Sequence, residues 1–137
     1  MTSTVAQTIR DTKMFSGFPA SLLTDLKTKA YAFHAHDYVV SRKAFAESQQ
    51  LSDFFKIVAT DSHDNKTFVT AVESRNYPIS GVMFHPETQT ISVIGTDRAA
   101  LAGKVNNADT DAIMLNFSRF VKREAMKGMN TGLEPSE

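Results

Sequence analysis

Cysteine is absent from all 137 residues. That excludes disulfides, thiolate metal sites and any cysteine nucleophile supplied by this chain. Charge of one sign is missing too. Fifteen basic residues cancel fifteen acidic ones, so there is no large one-signed field for a nucleic acid or an anionic membrane. No apolar run approaches the roughly 18 residues that a membrane helix needs. Proline and glycine number four and six, too few to mark a linker, and no repeat or low-complexity block occurs. The stretch Met1-Thr2-Ser3-Thr4-Val5-Ala6-Gln7 has neither the basic region nor the apolar core of a signal peptide. No nucleic-acid partner and no membrane insertion are therefore expected. What is present is an ordinary globular balance, 42% hydrophobic and 22% charged, in a length that fits one domain of roughly 100–200 residues.

Residues 1–13 and 128–137 are polar with little periodicity, and both are expected to be irregular. Between them, residues 14–127 carry the folded part. A helix is expected after Phe18-Pro19, because proline suits a first helical turn and Leu22, Leu23 and Leu26 share a face. The run from Ala30 to His36 has the aromatic content and rough alternation of a strand. A short turn of helix around Asp53-Phe54-Phe55 precedes a strand through Lys56-Ile57-Val58-Ala59-Thr60. Asp64-Asn65 then signals a turn into an alternating run through Phe68, Val69, Ala71 and Val72, which completes a hairpin. Tyr77-Pro78 breaks the chain before a third, buried strand from Ile79 to Phe84. The clearest element is a helix over about 109–127. Its apolar stripe is Ile113, Met114, Phe117, Phe120, Val121 and Ala125, with acids near its start, bases near its end and Gly128 placed to stop it. The order is that of an α/β protein with an incomplete set of parallel-strand units.

One tripeptide stands out for chemistry. In Gly81-Val82-Met83-Phe84-His85-Pro86-Glu87, proline turns the chain just after a histidine, and the i+2 spacing lets the Glu87 carboxylate curl back toward His85. A histidine oriented by a carboxylate is the base half of a nucleophile–His–acid triad. On spacing alone, a strand-end histidine capped by a nearby acid fits equally well.

The wider context separates these. Tyr77-Pro78-Ile79-Ser80-Gly81-Val82-Met83-Phe84-His85-Pro86-Glu87 resembles the stretch Y-P-x-x-G-x-Q-W-H-P-E-K around the catalytic histidine of gamma-glutamyl hydrolases, which have the class I glutamine-amidotransferase-like fold. Met14-Phe15-Ser16-Gly17-Phe18-Pro19 with Leu22-Leu23 is similar to that family's M-F-x-x-F-P-x-x-L-L. Leu51-Ser52-Asp53-Phe54-Phe55-Lys56-Ile57 follows its L-x-x-F-F-x-(I/V) stretch. His36, with Tyr38 and Ser41 after it, is similar to the family's second active-site histidine region. Several motifs in the right order cover about 14–87, and the likeness resumes in the final helix.

The resemblance implies the C-terminal part of a flavodoxin-like three-layer α/β fold, with an incomplete central sheet, a β-hairpin and a long C-terminal helix. It implies that His85 is the general base, Glu87 its orienting acid and His36 a substrate-binding residue, with no cofactor. Met83, Phe84 and Thr88 stand where the family has glutamine, tryptophan and lysine, and Gln89 to Lys104 does not follow the family's usual continuation. The family's nucleophilic cysteine, on a G-x-C-x-G turn upstream of the similar region, has no counterpart, and no G-x-S-x-G turn replaces it.

Three expectations follow. In the first, a complementary N-terminal half supplies the cysteine, and the pair hydrolyses gamma-glutamyl peptides or polyglutamylated folate. In the second, the chain is a truncated, inactive homologue with a structural role in a larger assembly. In the third, it is a fragment of a full-length hydrolase. The first two imply an obligate protein partner, because strand edges and an apolar face are left uncovered.

Other signals are weaker. His34 and His36, at i and i+2, together with His85 and Glu87 have the donor types of a metal site. The resemblance already accounts for His36 and His85, so no metal is expected and His34 reads as a partly exposed strand residue. His63, beside Asp61 and Asp64, reads as a surface histidine of the hairpin loop. Asn65-Lys66-Thr67 and Asn116-Phe117-Ser118 fit the N-glycosylation pattern; the second is set among expected core residues and is discounted.

Overall fold

The computed structural model describes residues 3–5, 12–29, 34, 36–86 and 108–128. Along the chain lie β1 (Ser3–Val5), α1 (Ala20–Thr28), α2 (Arg42–Glu47), α3 (Gln49–Phe54), β2 (Phe55–His63), β3 (Lys66–Ser74), β4 (Ser80–Val82) and α4 (Ala108–Gly128). The strands form one sheet in the order β1-β2-β3-β4, and every neighbouring pair is antiparallel.

The β2–β3 hairpin is the frame. Its two-residue turn places Asp64 at φ 48° and Asn65 at φ 60°. A primed turn needs both of its central residues left-handed, and short polar side chains tolerate this best. His63 pairs with Lys66 to close the turn, and pairing continues to Phe55 opposite Ser74. The register slips between Ile57 and Ala59 and returns between Ala59 and Thr60. Val58 on β2 and Thr70 on β3 thus drop out of one-to-one pairing, one extra residue on each strand, as in paired bulges.

The core lies where this hairpin meets α1, α4 and the turn over residues 12–18. Val58, Ala59 and Ala71 pack with Leu22, Leu23 and Leu26, with Ile113, Phe117 and Phe120, and with Met14, Phe15 and Phe18. Phe15, Phe18 and Phe117 form an edge-to-face triangle with centroids 5.1, 5.7 and 5.3 Å apart, the arrangement aromatic quadrupoles favour. Two charged side chains clamp the 12–18 turn. Glu73 of β3, with 0% exposure, accepts hydrogen bonds from the backbone N–H of Met14 at 2.5 Å and of Lys13 at 3.1 Å. It also faces the Lys56 ammonium at 3.2 Å. From α4, Arg123 donates to the Lys13 carbonyl at 2.7 Å. A side chain at Gly17 would meet that guanidinium, with a Cβ 3.2 Å from Arg123 Nη1.

Three expectations change. Ser3–Val5, expected to be irregular, pair with β2 as an outer strand, because β2 otherwise has an open edge there. The third strand is three residues long and exposed, where a longer buried one was expected; it is the outer strand on the other side of the sheet. On α4, Val121 and Ala125 are exposed, although both continue the Ile113–Phe117 row. Each i+4 step rotates about 40°, so the row leaves the buried stripe of Ile113, Phe117 and Phe120 and runs into solvent. Phe54, at the end of α3, is 37% exposed and stacks on Tyr77 at 5.4 Å.

Candidate functional site

The segment 36–41 is docked along β3 before it turns into α2. Val69 N–H donates to the Val40 carbonyl at 2.8 Å, and Ser41 forms an isolated bridge to Phe68. Ser41 then caps α2, its Oγ accepting from Ala44 N–H at 3.0 Å, which satisfies one of the open donors of the first turn. The chain is thereby fixed just beyond the short stretch that follows His36.

Beneath it sits Asp61, in the middle of the sheet. It pairs with Ser3 of β1 and Phe68 of β3 and is fully buried. A buried carboxylate needs donors, and it has them. Ser62 N–H donates to Oδ1 at 2.9 Å, and His34 Nε2 lies 3.1 Å from Oδ2. The other nitrogen of His34, Nδ1, lies 3.0 Å from Nε2 of His36. Asp61, His34 and His36 thus form a continuous hydrogen-bonded row. The two imidazoles cross at 85°, and both meet the edge of Phe68, at 5.8 and 6.2 Å.

His34 is half-buried as a residue but does not lie in the strand expected. Its side chain is 4% exposed and neither His34 nor His36 lies in a strand; the rest of the expected strand, 30–33 and 35, lies outside the described residues. Burial holds the His34 pKa below the ordinary histidine value, outweighing the opposing hydrogen bond and charge of Asp61. His36 Nδ1 is buried and has no hydrogen-bond partner among the described residues. Leaving such a nitrogen unmet costs about 1–3 kcal/mol, a cost that bound ligand groups commonly remove.

His85 follows β4 and is half-buried. Phe84, its neighbour in the chain, packs edge-on against His34 at 6.4 Å and against Phe117 of the core at 5.5 Å. One aromatic ring therefore links the core, the histidine row and the backbone that carries His85. Glu87 lies outside the described residues, as does its pairing with His85. Asp61 was the member that sequence reasoning missed. Its place beside His63 and Asp64 suggests the hairpin loop, whereas it sits inside β2. The available signal was an acid continuing the apolar run Ile57-Val58-Ala59-Thr60. His63 is at the surface, 3.4 Å from Asp64.

Among the described residues, no group of three or more His, Cys, Asp or Glu is placed to hold a metal ion, and no helix is long and apolar enough to cross a membrane. Asn116 is 8% exposed and donates to the Ala112 carbonyl at 2.8 Å, so the second glycosylation pattern is sequestered. A separate apolar cavity of about 220 Å³ lies between α2, α3 and β3–β4, lined by Phe45, Leu51, Phe55, Val72 and Val82 among others.

The family model for glutamine amidotransferase class-I matches residues 3–92. A gamma-glutamyl hydrolase of Glycine max is 33% identical over 119 residues, 86% of this chain and 33% of the relative. Gamma-glutamyl hydrolase of Bos taurus is 37% identical over 75 residues, 55% of this chain and 24% of the relative. Gamma-glutamyl hydrolase 2 of Arabidopsis thaliana is 40% identical over 75 residues, 54% of this chain and 22% of the relative. The chain spans a third or less of the length of these relatives.

Proposed function

The chain belongs to the glutamine amidotransferase class-I family, and we propose that it is the histidine-bearing part of a gamma-glutamyl hydrolase whose cysteine nucleophile is supplied by a partner polypeptide. The observation that carries this reading is the match to relatives named gamma-glutamyl hydrolase across most of a chain without cysteine. The substrates would be gamma-glutamyl peptides or polyglutamylated folate.

In this reading His85 takes the proton of the partner's thiol. The thiolate attacks the gamma-carbonyl carbon, the C–N bond breaks, and the proton on His85 passes to the departing amine. Water then attacks the thioester, gives its proton to His85 and releases the carboxylic acid; the thiolate leaves and recovers the proton from His85. Glu87 orients His85, and His36 holds the substrate. No step draws on a cofactor.

The test is glutamate release from a gamma-glutamyl peptide. The 137-residue chain is assayed alone, then with a polypeptide carrying the family's G-x-C-x-G turn, and again with His85→Ala. Activity in the mixture alone, abolished by His85→Ala, supports the reading. Hydrolysis by the chain alone would sink it. A mixture that assembles yet stays inactive would favour the second reading, an inactive homologue with a structural role, which the replacements at Met83, Phe84 and Thr88 favour.

A further inference from the structure

We infer that Asp61 and His34 are positioning residues that hold His36 as the imidazole protonated on Nε2, so that its Nδ1 presents a lone pair to an N–H donor, an amide or ammonium nitrogen of the ligand.

The inference follows the row from its buried end. The Asp61 carboxylate is fully buried and accepts from Ser62 N–H through Oδ1. An ionised carboxylate can only accept, so the nitrogen 3.1 Å from its Oδ2, His34 Nε2, carries a proton. A neutral imidazole carries just one ring proton. Burial, which lowers the His34 pKa, keeps that ring neutral near pH 7. His34 Nδ1 is then an acceptor, and its partner at 3.0 Å, His36 Nε2, is the donor. The single proton of a neutral His36 is thereby committed to Nε2. The nitrogen left over, Nδ1, is the buried one with no partner among the described residues.

That arrangement has a sign. A lone pair attracts an N–H and repels an anion, so the row selects against a carboxylate at this position unless His36 takes a second proton. The scissile amide of a gamma-glutamyl peptide offers such an N–H. The choice of that amide rests on the reading proposed above; the tautomer of His36 does not.

The experiment is long-range ¹H–¹⁵N correlation spectroscopy of the imidazoles in the ¹⁵N-labelled 137-residue chain near pH 8. His63→Gln and single His→Phe variants assign the four histidines. We expect one pattern, the Nε2–H form, for both His34 and His36. In Asp61→Leu or His34→Phe that preference is lost and His36 shows mixed forms. A proton on Nδ1 of His36 in the unsubstituted chain overturns the inference. So does an unchanged pure Nε2–H pattern in either variant, provided its amide spectrum stays dispersed. Should both variants fail to fold, the spectrum of the unsubstituted chain still decides. Propionamide and its near-isostere propionate are then titrated in. The His36 Nδ1 resonance is expected to shift with the amide and not with the anion; an equal or reversed response overturns the ligand class. These spectra need no turnover. A mixture with the cysteine-bearing polypeptide that assembles yet hydrolyses nothing, while His36 keeps Nε2–H, removes the hydrolase reading and leaves this inference standing, and the converse also holds.

Discussion

His34 and Asp61 meet at 3.1 Å across 27 residues of sequence, one imidazole and one carboxylate almost completely withdrawn from water. The pair works in both directions. Asp61 gives the buried ring an acceptor, and the ring gives the buried carboxylate a donor. Because the second nitrogen of His34 reaches His36, a packing arrangement in the sheet is carried to a residue of the candidate site.

This pair makes stability depend on pH. The folded-state pKa of His34 lies below the ordinary histidine value of 6.5, which is also the value expected of the unfolded chain. The unfolded state therefore binds more protons in the window between the two, and stability rises with pH there. The His34 contribution is complete above pH 6.5 and is lost as pH falls through the folded-state value. Urea midpoints at pH 7.5 and 5.5 should fall further for the unsubstituted chain than for His34→Phe. Equal falls would show that His34 is not the titrating group.

Glu73 ties the 12–18 turn to the sheet. Glu73→Ala leaves the Lys13 and Met14 N–H groups without this acceptor and removes the carboxylate that faces Lys56. The expected loss is about 3 kcal/mol. Glu73→Gln keeps one acceptor oxygen, and its loss should be roughly 1–2 kcal/mol. Chemical denaturation of both variants checks the order; an equal loss would mean that the charge, and not the hydrogen bonds, dominates.

Phe117 stands where the aromatic triangle meets Phe84. Phe117→Ala should cost about 3–5 kcal/mol through lost burial and a cavity, and Phe117→Leu under about 1.5 kcal/mol. Because Phe84 rests on both Phe117 and His34, even the leucine variant should shift the His34 imidazole resonances. Unmoved resonances would show that the core and the histidine row are independent.

At the hairpin tip, Asn65 holds φ 60°. A β-branched side chain there is strained by about 1–2 kcal/mol, so Asn65→Val should lower the thermal midpoint while Asn65→Gly should hold or raise it. The reverse order would rule out the left-handed turn.

The local signals in this chain were strong ones. Leu22, Leu23 and Leu26 are spaced to share a helix face and all three are buried. The Asp64-Asn65 turn sits between two alternating runs, as a tight hairpin requires. Ile113, Phe117 and Phe120 mark the buried stripe of α4. The motifs around His36 and His85 pointed to the family that the glutamine amidotransferase class-I model matches.

What failed were judgements of exposure and of distant pairing. Val121 and Ala125 look like core in a list of apolar positions, yet their side of α4 is turned away from the core and both are exposed. The third strand looked buried because its residues are apolar, and its position at the edge of the sheet left it exposed.

The missing cysteine, the balanced charge, the hairpin turn and the family motifs are properties of composition and of neighbours within a few residues, and the sequence by itself determined them. The Asp61–His34–His36 row was decided by tertiary structure alone. It needs β2 to turn the Asp61 side chain into the interior and the 36–41 segment to dock on β3. Only then does burial make the hydrogen bonds between groups 27 residues apart obligatory.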